Sequence, residues 1–150
     1  MIDPGRSFGT GAHPTTRLCL ELLAKLPRGS VVDVGCGSGV LAIAAAKLGF
    51  APVNAVDADE HAVEGARRNA DANGVSIAVQ RADALTDELP QADVAIVNVT
   101  RGVVEAAGRQ RRWPRLIASG YLVVEPPLLE GYRHAERAAE DGWAADLFAR

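Results

Sequence analysis

A carboxylate just ahead of three alternating glycines is the pattern from which chemistry can first be argued. Asp33, Gly35, Gly37 and Gly39 fall in the run Val31-Val32-Asp33-Val34-Gly35-Cys36-Gly37-Ser38-Gly39-Val40. This reads as a short apolar strand feeding a glycine turn, and the helix-like stretch 41–48 follows at once. Glycine admits positive φ and lacks the Cβ that would hold a ligand off, while the first N–H groups of the helix face the same space; strand, turn and helix together therefore read as a cofactor loop. Two cofactor classes use such a turn. Dinucleotides bring an anionic pyrophosphate to the helix start, whereas S-adenosyl-L-methionine brings a sulfonium and an ammonium group. Asp33 separates them: unit charges about 4 Å apart interact by roughly 4 kcal/mol at an effective dielectric near 20, so the carboxylate opposes a diphosphate and attracts a cation. The spacing agrees, because Val40 stands where a dinucleotide turn takes its third glycine or an alanine. The turn is thus read as a methyl-donor site containing Asp33, Gly35 and Gly37.

Four further residues carry chemistry by position. Asp57 closes the second strand 22 residues after Gly35, where an α/β cofactor fold sets a carboxylate against the ribose hydroxyls. Asp59, two residues on, reads as the cap of the next helix. Asp83 follows the third strand and is placed to meet the adenine amino group, or else simply organises its loop. Asn98 ends the apolar strand Ala95-Ile96-Val97-Asn98 at the crevice where open α/β sheets bind ligands; it is expected to hold the donor's methionine part or orient an acceptor nitrogen, the alternative being a helix cap. His13 is a candidate proton acceptor or a structural loop residue. No metal site is expected.

The elements that must position these residues follow from periodicity. Leu18, Leu22, Leu23 and Leu26 recur at helical spacing after Thr15-Thr16, whose hydroxyl is expected to cap the helix. From Ser30 strands and helices alternate, with strands expected at 31–35, 52–57, 76–81, 93–98, 120–125 and 143–148 and helices in the gaps. One helix over 59–72 turns Ala62, Val63 and Ala66 inward and ends at Asn73-Gly74. Another starts near Arg101 and is cut by Trp113-Pro114. The fold class is α/β, a doubly wound, mostly parallel sheet in one domain over 1–150. An apolar fraction of 48% speaks against disorder, and the sequence has no long uncharged apolar run for a membrane span. A net charge of -3 argues against a general nucleic-acid binder. The first residues have neither a basic start nor an apolar core for a signal peptide, and two cysteines make no disulfide framework, so a cytoplasmic setting is expected. Arg109, Arg111, Arg112 and Arg115 form a basic cluster, read as a solvated helix face.

Several segments together resemble the PrmA family of ribosomal protein methyltransferases. They are Phe8-Gly9-Thr10-Gly11-Ala12-His13-Pro14-Thr15-Thr16, the glycine run from Asp33 through Ala44, Val56-Asp57-Ala58-Asp59 and Val97-Asn98-Val99. The resemblance implies a class I methyltransferase fold, N-methylation of protein amino groups, a ribosomal protein or small amine as acceptor, and donor contacts at Thr16, Gly35, Asp57 and Asn98. It also implies that the loop containing Phe8 and Thr10 closes over the methionine end. Departures set further expectations. The family has a separate amino-terminal recognition domain and this sequence starts where the catalytic domain starts, so these residues are not expected to supply recognition of the ribosomal protein. Thr100-Arg101-Gly102 replaces an apolar segment that would face the acceptor. The family's sheet ends in a hairpin, and the eight residues after Gly142 suffice for one strand, so one terminal strand is expected to be missing. A methyltransferase-fold binding module without activity is the alternative reading.

Overall fold

The structure, a computed structural model, describes residues 13–110 and 112–150. Among the described residues seven strands form one sheet, in the order β3-β2-β1-β4-β5-β7-β6. β1 (Val31–Val34), β2 (Val53–Asp57), β3 (Ala78–Arg81), β4 (Val94–Asn98) and the amino end of β5 (Arg115–Leu122) run parallel. β6 (Arg133–Glu140) and β7 (Trp143–Ala149) form a closing hairpin, with β7 antiparallel to both β5 and β6. The strand order reverses beside β1, so the carboxyl ends of β1, β2 and β4 open onto one crevice.

Both faces of the sheet are covered. On one, α1 (Pro14–Ala24), α2 (Val40–Lys47) and α3 (Glu60–Ala72) bury Leu18, Leu22, Leu23, Ala42, Val63 and Ala66 against β-strand residues such as Val31 and Ile96. On the other, α4 (Arg101–Gly108) and Trp113 cover Val32, Val97, Leu116 and Phe148. Fully burying one such aliphatic side chain contributes about 1.5–3 kcal/mol, and β1 is buried along its whole length, as a central parallel strand requires. The inward and outward faces of α3 and its Asn73-Gly74 stop are as the periodicity indicates, with Gly74 at φ 66.

The expected missing strand is present. β6 has the sequence Arg-His-Ala-Glu-Arg-Ala-Ala-Glu, without the β-branched and aromatic residues by which strands are recognised. It is an edge strand, tied to β7 by the ladder and to α1 by Arg17–Glu140 at 2.9 Å and Lys25–Glu136 at 2.6 Å. The fifth strand spans Arg115–Leu122 rather than 120–125, because Gly120 is not its start but a bulge inside it, where the register with β7 shifts between Ser119 and Tyr121. No helix fills 82–93 or 123–132, segments interrupted by Pro90 and by Pro126-Pro127. The cap of α1 is also not a threonine hydroxyl. His13 is the N-cap, its Nδ1 accepting from the Thr15 N–H at 3.2 Å, and Pro14 opens the helix.

Candidate functional site

Above the carboxyl ends of β1, β2 and β4 lies a cavity of about 720 Å³ lined by His13, Thr16, Asp33, Gly35, Asp57 and Asn98, among others. The glycine turn forms its floor. Gly35 has φ 72, and a Cβ there would stand 2.5 Å from Val99 Cγ1, so any side chain would fill the space between turn and β4. The Gly35 and Cys36 N–H groups both donate to the Val56 carbonyl, at 2.8 and 2.9 Å, which locks the start of the turn to β2.

Asp33 is 1% exposed and borders the cavity. Its carboxylate accepts from the Ala42 N–H in the first turn of α2 at 3.2 Å, so the protein's own carboxylate takes a helix-start amide that a bound phosphate would use. Burial pushes its pKa up to about 7; the Ala42 amide opposes this rise and the nearby Asp57 charge adds to it. Asp57 closes β2 and accepts from the Gly37 N–H and the Asp59 N–H, each at 2.9 Å, so it braces the turn while facing the cavity. Asp59 is the N-cap of α3, accepting from the His61 N–H at 2.9 Å, as its position suggested. No lysine or arginine lines the cavity among the described residues, whereas three carboxylates do. Cys36 lines it as a neutral thiol, because burial and then the charges of Asp33 and Asp57 push its pKa up.

The opposite wall comes from remote segments. Asn98 ends β4 facing the cavity, and α4 is capped not by it but by Thr100, whose side chain makes no capping bond. His13 packs edge-to-face on Trp143, ring centroids 5.0 Å apart, and its Nδ1 lies 2.8 Å from Thr15 Oγ1. Gly120 completes the wall at φ 103, where a Cβ would stand 1.6 Å from the Val99 carbonyl oxygen.

Of the residues singled out from sequence, the cavity therefore gathers His13, Thr16, Asp33, Gly35, Gly37, Asp57 and Asn98. Asp83 lies outside its lining: its Oδ1 accepts from the Leu85 N–H and its own N–H donates to Asp87, which organises a turn. Phe8 and Thr10, and Arg111 of the basic cluster, lie outside the described residues. Thr100, in the segment expected to face the acceptor, also lines the cavity. Gly120 and Trp143 were not anticipated; an isolated glycine inside an apolar strand pattern was the available signal for the first, and nothing local marks the second.

A parallel sheet of this strand order with an antiparallel terminal hairpin, and a glycine turn beneath a cavity, defines the class I methyltransferase fold. The family model described as ribosomal protein L11 methyltransferase (PrmA) matches residues 1–145, and the chain belongs to that family. It is 38% identical over 160 aligned residues to the ribosomal protein L11 methyltransferase of an Exiguobacterium species, covering 97% of this chain and 51% of that protein. It is 40% identical to that of Symbiobacterium thermophilum, covering 97% and 52%. The chain thus spans about half the length of these relatives. Among solved structures, the ribosomal protein L11 methylase of Lactobacillus delbrueckii subsp. bulgaricus superposes with a TM-score of 0.85 at 28% identity, over 99% of this chain and 82% of that one. The Pyrococcus abyssi tRNA (uracil-54, C5)-methyltransferase in complex with S-adenosyl-L-homocysteine shares the fold, with a TM-score of 0.71 at 23% identity over 95% and 39% of the two chains.

Proposed function

We propose that residues 1–150 form a single domain that transfers a methyl group from S-adenosylmethionine to an amino group of a protein, with ribosomal protein L11 as the acceptor class and the cytoplasm as the setting. The observation that carries this reading is Asp33, a buried carboxylate beside a cavity whose described lining offers it no lysine or arginine. A ligand with fixed positive charge supplies the missing compensation, and a diphosphate does not. Two further features support the donor. Asp57 keeps lone pairs for ribose hydroxyls while bracing the turn, and Gly35 and Gly120, lacking a Cβ, let their backbones close on Val99 at the cavity wall. The relatives named above are ribosomal protein L11 methyltransferases, and one neighbour of the same fold holds S-adenosyl-L-homocysteine.

The donor, when bound, supplies an already activated methyl group, so the protein's part is placement and exclusion of water. Asp33 holds the positive end, Asp57 the ribose, and Thr16 the wall above the turn. Asn98, not used as a helix cap, accepts from the acceptor amine and aligns its lone pair. His13 is held by Thr15 and Trp143 and shapes the acceptor entry. The strand whose expected absence favoured an inert binding module is present as β6, paired with β7. The test is transfer of a radiolabelled methyl group from S-adenosylmethionine to purified ribosomal protein L11. Label on L11 amino groups supports the reading; calorimetric donor binding with no label on L11 or on small amines returns the binding-module alternative.

A further inference from the structure

Asn69 is a polar side chain on the buried face of α3, 4% exposed among Ala62, Val63, Ala66 and Ala70. An alanine would satisfy the packing of that face, and burying an amide without partners is costly, so its presence asks for a specific bond. Its Nδ2 donates to the Ser38 carbonyl at 2.8 Å. Ser38, itself 1% exposed, is the central residue between Gly37 and Gly39.

The peptide unit joining Ser38 to Gly39 is consequently held at both ends. Its carbonyl is drawn toward α3 by Asn69, and its N–H, from Gly39, donates to the Cys36 carbonyl at 2.8 Å to close the turn. Two residues earlier, the Gly37 N–H goes to Asp57. α3 also presses on the turn directly: a Cβ at Gly39, φ 87, would stand 3.1 Å from Ala66 Cβ. A turn built of glycines has many accessible backbone states, and these bonds select one. Without the Asn69 amide the Ser38 carbonyl would lose this buried bond, and the peptide plane would be freer to rotate away from the ligand-ready shape.

We infer that Asn69 is a positioning residue for the donor: it never touches the ligand, but fixes the orientation of the Ser38–Gly39 peptide and thereby the form of the floor on which the methyl donor rests. This rests on the donor assignment proposed above. When a binding-competent state is only partly populated, apparent affinity falls by that fraction. Asn69→Ala is therefore expected to raise the dissociation constant and KM for S-adenosylmethionine about tenfold, the equivalent of one lost buried hydrogen bond. At saturating donor, kcat and the KM for the acceptor stay within about twofold.

The experiment is calorimetric titration of the chain with S-adenosylmethionine and steady-state methylation of L11, on wild type, Asn69→Ala, Asn69→Leu and Val63→Ala. Asn69→Leu fills the same volume without an N–H donor and carries the test if the alanine variant fails to fold. Val63→Ala removes core packing from the same helix while leaving the Asn69–Ser38 bond in place, and controls for general loosening. The inference holds if both Asn69 variants lose donor affinity and Val63→Ala, with a comparable fall in melting temperature, does not. It is overturned if the folded Asn69 variants bind donor within twofold of wild type, or if Val63→Ala weakens the donor equally. Wild type binding no donor at all would instead sink the underlying donor assignment.

Discussion

Among the described residues two carboxylates lie buried, and their surroundings are opposite. Asp146, in β7 and 0% exposed, is enclosed by its own partners: the Arg137 guanidinium at 2.7 and 3.0 Å, the Tyr121 hydroxyl at 2.7 Å and His134 Nε2 at 2.8 Å. Burial alone would raise its pKa, but the Arg137, Tyr121 and His134 bonds reverse this and hold it below the usual carboxylate value. Asp33, equally buried, has one amide bond and an acidic neighbour, and it rises to about 7. A charge satisfied within the protein stabilises the hairpin. A charge left uncompensated beside a cavity is set aside for something that binds there.

The largest effects should separate the two acids by sign. Asp33→Asn is expected to weaken S-adenosylmethionine binding by roughly a hundredfold or more, given the Coulomb scale of a close ion pair. The same change should raise the melting temperature of the ligand-free chain at pH 8 by about 5 °C, because it removes an uncompensated buried charge. Calorimetry and thermal melts read both effects. A variant that melts lower and binds donor unchanged would make Asp33 a second Asp146.

Arg137→Ala should do the reverse. Leaving Asp146 without its guanidinium costs about 2–4 kcal/mol, a fall in melting temperature of roughly 5–15 °C for a chain of this size, with donor affinity within about threefold. Loss of donor binding in a variant that stays folded would link the hairpin to the site and erase the contrast. Asn98→Ala tests the far wall, where methyl transfer to L11 should slow about 10- to 100-fold while donor affinity changes by less than about threefold.

The smallest effect is the pH dependence. The raised pKa of Asp33 means that its contribution to stability is full below about pH 4 and is lost as pH rises through about 7. The lowered pKa of Asp146 means the opposite: its contribution is present above about pH 4 and is lost as pH falls further. Ligand-free stability contributed by these groups should therefore decline between about pH 5 and pH 8, and Asp33→Asn should flatten that decline. Donor binding favours the ionised form, so the melting-temperature gain from S-adenosylmethionine should be greater at pH 8 than at pH 6.

The same asymmetry explains what the sequence could disclose. Asp33, the glycines and Asp57 belong to short contiguous motifs whose geometry is set by strand, turn and helix in succession, and they could be read in place. The cavity wall opposite the turn joins residues 13, 98–100, 120 and 143, which only the folded sheet brings together. β6 escaped notice because an edge strand held by ladder bonds and charge pairs needs no apolar alternation, and the Asp146 network was hidden with it. Asn69 carries no local signal of its role, because it lies on a helix face otherwise made of alanine and valine.

The most direct test of the central claim is calorimetric titration of the ligand-free chain at pH 8 with S-adenosylmethionine and, separately, with NAD. A cavity whose buried carboxylate awaits a cation should bind the sulfonium compound and show no binding of the dinucleotide. Tight binding of NAD with none of S-adenosylmethionine would contradict it.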